Sequence, residues 1–264
     1  MELRIENVSK AFNNNGEAHT VLDNVSFTIG EGQFVTLLGP SGCGKTTLLT
    51  IVAGFQSATS GQVRLNGDLV VKPGPERGFV FQDYALFPWM TVKDNILFPM
   101  RQQKMPSGER ELLLQKLLSL AHLEGKENLY PSQLSGGMKQ RTAVIRALAC
   151  RPKVLLMDEP LGAVDYQMRH MLQEELEALW LSERSTVLMV THDVDEAIYL
   201  SDRIIVMSRD KGTVLEDMPV KLERPRNRKN KKYTEYKDYL TDLLKSSHSG
   251  ENEISTEERT LAAG

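Results

Sequence analysis

Apolar and polar residues alternate along LRIENVSKAF (3–12) and VLDNVSFTI (21–29), the period-two pattern of half-buried antiparallel strands. QFVTLL (33–38) is instead a short, nearly continuous apolar run ending in glycine. It predicts a buried strand, followed by a helix from about Lys45 to Gly54. GQVRLNG (61–67) and RGFVFQ (77–82) predict two further strands bounded by turn residues. From about 91 to 150 the period lengthens to that of helices, with ERELLLQKLLSLAHL (109–123) and GMKQRTAVIRALA (137–149), the second stopped by Pro152. Strand and helix patterns then alternate through KVLLMD, YQMRHMLQEELEALW, STVLMVTH, DEAIYLS and RIIVMS, which indicates crossover units on a parallel sheet. The expectation is an α/β fold: a parallel sheet, an antiparallel strand layer at the start, and a helical insertion over about 88–150.

Beyond 222 the character shifts. RPRNRKNKK (224–232) holds six basic residues in nine, and YTEYKDYLTDLLK (233–245) places Tyr236, Leu240, Leu243 and Leu244 on one face of a helix. The stretch from 223 to 264 is therefore expected to be a basic segment, a short amphipathic helix and a polar, disordered tail. The basic run suits either solvated charge or the neighbourhood of acidic phospholipid.

Composition narrows the class. The chain has 264 residues, 41% hydrophobic and 25% charged, enough to bury a sizeable core. A net charge of −3 provides no global attraction to nucleic acid or anionic membrane. Two cysteines, Cys43 and Cys150, imply no disulfide framework and point to a reducing compartment. The N-terminus lacks the apolar core of a secretion signal, and no apolar run reaches the roughly 18 residues of a membrane span.

GPSGCGKT (39–46) fits the phosphate-loop pattern with Gly39, Gly44, Lys45 and Thr46. Small residues let backbone N–H groups curl around a phosphate, and the following helix N-terminus adds a favourable dipole. Lys45 is placed to reach the β- and γ-phosphates, and the Thr46 hydroxyl to ligate Mg²⁺. VLLMDEP (154–160) delivers two carboxylates to a strand end: Asp158 fits a magnesium-holding role and Glu159 the polarisation of an attacking water. VLMVTHD (187–193) ends another apolar strand in His192, which suits a γ-phosphate contact. LSGGMKQR (134–141) is a second serine–glycine turn opening onto a helix, again the apparatus for an anion.

These segments, in this order and with Gln82 in VFQDYALFPW and LGAVD at 161–165, resemble an ABC transporter ATPase subunit over about residues 2–222. The resemblance implies a P-loop NTPase core binding ATP and Mg²⁺. Gly39, Pro40, Ser41, Gly42, Cys43, Gly44, Lys45, Thr46 and Thr47 would surround the phosphates, and Phe12 would stack on adenine unless it is core. Gln82 would join Thr46 and Asp158 around the metal. Ser135, Gly136 and Gly137 would cover the nucleotide of an opposing subunit in a head-to-tail dimer, and Asp165 would communicate across it. Gly162, Val164 and Met138 depart from residues frequent in the family. FQDYALFPWMTVKDNILFP and ERPRNR narrow the resemblance to importer ATPases for nitrate, sulfonate, taurine or bicarbonate. Such a subunit would lie on the cytoplasmic face of the inner membrane, beneath a membrane-spanning permease served by an outer solute-binding protein, with ALFPWM (85–90) either facing that permease or buried. No nucleic-acid partner is expected; the alternative is a soluble ABC ATPase acting on nucleic acid or ribosomes.

Overall fold

A computed structural model describes residues 1–14, 17–162 and 166–261 of the chain. In order, its elements are β1 (Glu2–Asn14), β2 (Glu17–Gly30), β3 (Phe34–Leu38), α1 (Lys45–Ala53), β4 (Ser60–Leu65), β5 (Asp68–Leu69) and β6 (Arg77–Val80). Then come α2 (Val92–Gln102), α3 (Ser107–Leu120), α4 (Gly136–Leu148), β7 (Val154–Asp158), α5 (Tyr166–Glu183) and β8 (Thr186–Thr191). The chain continues through α6 (Val194–Leu200), β9 (Arg203–Met207), β10 (Val214–Pro219) and α7 (Lys231–Leu261). The expected antiparallel layer is a four-stranded sheet ordered β2-β1-β4-β5. The expected parallel sheet runs β9-β3-β8-β7-β6, with β10 added antiparallel at the β9 edge.

The central sheet is buried on both faces, and its side chains alternate between two cores, as period two requires. Phe34, Leu38, Leu155, Met157, Val187, Met189, Ile204 and Val206 face one core, which also holds α2 to α7. Val35, Leu37, Val154, Leu156, Leu188, Val190, Ile205 and Met207 face the other, shared with α1 and the antiparallel layer. Helix α1 buries Leu48, Leu49, Ile51, Val52 and Ala53 there and ends at Gly54, as its sequence predicts. Helix α4 buries Ala143, Val144, Ile145, Ala147 and Leu148 on the opposite face.

The C-terminal segment departs from expectation in two ways. The arginines of the basic run are neither solvated nor displayed: Arg224 pairs with Glu177 and Asp202, and Arg228 with Asp195 and Glu174. Arg226 is buried and donates to the Ile198 carbonyl. Alternate spacing along RPRNR turns these three guanidinium groups toward acids and carbonyls of α5, α6 and the turn before β9. Helix α7 is also continuous to Leu261 rather than short, its later half rich in glutamate, a good helix former. Its predicted apolar face is real: Leu240 is fully buried, with Tyr236, Leu243 and Leu244 packed beside it.

At the irregularity in the β1–β4 pairing, Gly61 has φ 77° and a Cβ added there would lie 2.1 Å from the Asn7 carbonyl oxygen. Gly67, in the β4–β5 turn, has φ 88° but nothing within 4 Å of such a Cβ. Both alanine substitutions incur the left-handed penalty of about 1–2 kcal/mol. Only Gly61→Ala adds a backbone collision, bringing its loss to about 2–5 kcal/mol. Urea unfolding should therefore separate the two variants; equal midpoints would contradict the close approach.

Candidate functional site

Four parallel strands end at one edge of the sheet, and each delivers a predicted site residue there. Leu38 of β3 is level with Thr191 of β8, Asp158 of β7 with Val190, and Val80 of β6 with Met157. The residues that follow are Gly39, His192, Glu159 and, two past Val80, Gln82. Ligands of open α/β sheets bind outside these carboxyl ends.

The loop from β3 to α1 closes on itself. Lys45 is buried, and its Nζ donates to the carbonyls of Gly39 at 2.7 Å and Pro40 at 2.8 Å. The cation is thus held by neutral oxygens that an anionic phosphate can outcompete. Gly44, φ 93°, caps α1, and a Cβ there would lie 2.7 Å from Leu22 Cδ2, so the loop is seated directly on β2. Ser41, Gly42 and Thr46 are exposed and Thr47 half-buried. Cys43 differs from the rest of its motif: its side chain is buried in the core and its thiol pKa is raised, chiefly by that burial. Its Sγ lies beneath the loop, accepting from Lys45 Nζ at 3.8 Å, and its N–H bonds the Pro40 carbonyl at 3.4 Å.

Thr46 Oγ1 donates to Asp158 Oδ1 at 2.8 Å, joining the two expected metal ligands. Burial pushes the Asp158 carboxyl above its ordinary pKa; the Thr46 hydrogen bond opposes this and the Glu159 charge adds to it. Glu159 parts from its neighbour through its backbone. It lies past the end of β7 with φ 42°, its N–H bonded to the Val190 carbonyl at 3.0 Å. Left-handed backbone at a non-glycine residue is strain of about 1–3 kcal/mol, characteristic of functional sites. The turn brings Glu159 Oε2 to 3.2 Å from His192 Nδ1. Gln82 is exposed beside this pair, its Nε2 3.7 Å from where a Cβ on Gly162 would sit. A Cβ at Gly162 would meet only ordinary contacts, so crowding does not require glycine there.

Ser135 caps α4, its Oγ accepting from Met138 N at 3.3 Å; Ser135 and Gly136 are exposed and Gly137 is buried. The first N–H groups of a helix lack intrahelical acceptors, so this turn presents donors. It belongs to the helix rooted in the opposite core from α1. Phe12 is 39% exposed on β1, paired with His19 two residues from the β2 segment that seats Gly44. It is therefore available for stacking rather than core. Asp165 lies outside the described residues.

Sequence reasoning overlooked Gly212, in the turn between β9 and β10. Its φ is 53°, and a Cβ would lie 2.5 Å from the Val21 carbonyl oxygen and 2.7 Å from that of Cys43, so this turn backs the phosphate loop. Lys-Gly after an apolar strand signalled a turn but not what it would touch.

Residues 22–162 match the ABC transporter family. The bicarbonate transport ATP-binding protein CmpD of Synechocystis is 42% identical over 92% of this chain and 88% of its own. The aliphatic sulfonates import ATP-binding protein SsuB of Bacillus subtilis is 43% identical over 86% and 88%. Among solved structures, a dimeric ATP-binding cassette in a post-hydrolysis state bound to ADP and Pi has a TM-score of 0.72 and 32% identity, covering 83% of this chain and 99% of its own. The chain belongs to the ABC transporter family.

Proposed function

We propose that this chain is the ATP-hydrolysing subunit of an importer, pairing head to tail with a second ATPase subunit and driving a separate membrane-spanning permease. The observation that carries the proposal is the convergence of Lys45, Thr46, Asp158, Glu159 and His192 on one sheet edge, while the second anion turn at Ser135 stands on the opposite core. The two named relatives take bicarbonate and aliphatic sulfonates, and the cargo class proposed here is likewise a small oxyanion such as bicarbonate, nitrate or a sulfonate, with taurine among the sulfonates. An outer solute-binding protein would supply it. The nucleic-acid alternative gains no support from these relatives.

In this reading the exposed amides of the loop and the α1 N-terminus cradle the phosphates, and Lys45 exchanges its two carbonyl partners for phosphate oxygens. Thr46 Oγ1 and Asp158 Oδ1 are adjacent hard oxygens, a donor pair that suits Mg²⁺ with phosphate oxygens and waters in its other positions. Bound there, the ion would neutralise charge on the phosphates. Glu159 takes the proton of the attacking water, and His192 holds the γ-phosphate side of the site. Ser135, Gly136 and Gly137 of one subunit complete the site of the other.

Among the described residues no helix is long and apolar enough to cross a membrane, so a peripheral place on the cytoplasmic face depends on the partner. Trp89 is 70% exposed and Phe87, half-buried, is 5.7 Å from it and 4.9 Å from Phe98, ring to ring. Phe87 and Trp89 lie in the stretch that sequence left as either permease-facing or buried, and with Phe98 they form the contact proposed.

Two measurements check this function. Glu159→Gln should keep ATP affinity within about twofold and lose about 100-fold or more in turnover, whereas Lys45→Ala should weaken ATP binding itself by about tenfold or more; normal steady-state hydrolysis by Glu159→Gln would remove the base assignment. Trp89→Asp should abolish co-purification of a multi-spanning membrane protein from detergent extracts while leaving the isolated chain's ATP hydrolysis intact. Undiminished co-purification would exclude this surface.

A further inference from the structure

His192 comes from neither the phosphate loop nor β7 but follows β8. It stands between Thr191, the end of β8, and Asp193, the cap of α6. Both neighbours are tied down. Thr191 Oγ1 donates to Glu196 Oε2 at 2.6 Å and accepts from Asp193 N at 3.0 Å. Asp193 Oδ1 accepts from Asp195 N and Glu196 N at 2.8 and 3.1 Å, and its Oδ2 from Arg169 Nη1 at 2.8 Å. The position of His192 is therefore that of the first turn of α6.

That turn is gripped from outside by the C-terminal arm. Arg228 Nε donates to Asp195 Oδ2 at 3.2 Å, while its guanidinium lies 3.7 Å from the centre of the Tyr199 ring. Tyr233, buried, donates its hydroxyl toward the Asp195 carbonyl oxygen at 3.1 Å and Oδ1 at 3.0 Å. Lys237 and His170 stand 3.9 and 3.8 Å from the same carboxylate. Arg228 also reaches Gln173 of α5. By contrast, Arg224 serves the far end of α6, at the Leu200 carbonyl, Glu177 and Asp202.

We infer that Arg228 and Tyr233 are positioning residues for ATP hydrolysis: through Asp195 they fix the first turn of α6 and so hold His192 against Glu159. This rests on reading His192 as the γ-phosphate contact. A basic segment that sequence suggested was a surface charge thereby belongs to the catalytic framework, acting on turnover rather than on nucleotide affinity. Displacing a catalytic group by about 1 Å suffices for a large loss of rate.

The test measures steady-state ATP hydrolysis, ATP binding and thermal unfolding of the purified full-length chain. Tyr233→Phe keeps the packing and deletes only the hydroxyl; Arg228→Ala deletes the ion pair and the ring contact. Each is expected to lower kcat by about tenfold with the KM for ATP within about twofold, and Arg228→Lys to regain part of it. Arg224→Ala, matched for ion-pair loss, should lower the melting temperature and leave kcat within about twofold. Introduced into His192→Ala, Arg228→Ala should produce no further loss of kcat, since the residue it positions is gone. A folded Tyr233→Phe with unchanged kcat, or an additive loss in the His192→Ala background, overturns the inference. If His192→Ala itself turns over normally, the reading of His192 falls first and the inference with it.

Discussion

A sheet that is apolar on both faces has to be covered twice, and that requirement arranges the whole molecule. Because successive residues of β3, β7, β8 and β9 point to opposite sides, the antiparallel layer with α1 covers one face and the helical elements cover the other. Two helices that open on glycine-containing turns are thereby separated by the sheet. The phosphate loop opens α1 on one side, and the Ser135 turn opens α4 on the other. On the proposed reading these are two half-sites, which a head-to-tail pair of subunits would make complete.

The sheet edge then supplies the chemistry. Four strand ends at nearly one level bring Lys45, Thr46, Gln82, Asp158, Glu159 and His192 together from distant parts of the sequence. Local contacts adjust each one: loop carbonyls hold the Lys45 cation, the Thr46 hydroxyl meets the Asp158 carboxylate, and left-handed backbone turns Glu159 toward His192. The rear of the phosphate loop is braced by Gly44 on β2 and Gly212 in the β9–β10 turn, where backbone groups approach too closely for any side chain. Rigidity behind the loop and exchangeable partners in front suit a site that must admit and release a nucleotide.

Contiguous information was readable in the sequence. The strand alternation, the start and stop of α1, and the GPSGCGKT, LLMDEP and LSGGMKQR segments each lie within a few residues, so local pattern suffices. What sequence concealed depends on partners far along the chain. RPRNR shows only charge; its acids, Glu177, Asp195 and Asp202, lie tens of residues upstream, so the arm's inward turn had no local signal. VLEDMP carries charged residues typical of an edge strand, so β10 was hidden. The inward side chain of Cys43 and the left-handed turn at Glu159 are backbone decisions that residue type does not announce.

The central claim is that one chain's Ser135 turn completes another chain's phosphate loop. Two preparations in a Cys150→Ala background test it most directly, one with Ser41→Cys and the other with Ser135→Cys, both positions being exposed. Buried Cys43 stays as it is. A short bifunctional maleimide, able to reach across a bound nucleotide, is added with and without ATP. The account predicts a species of doubled mass only when the two preparations are mixed, and chiefly with ATP. A single chain carrying both substitutions that links internally, with no cross-linked dimer in the mixture, would contradict it.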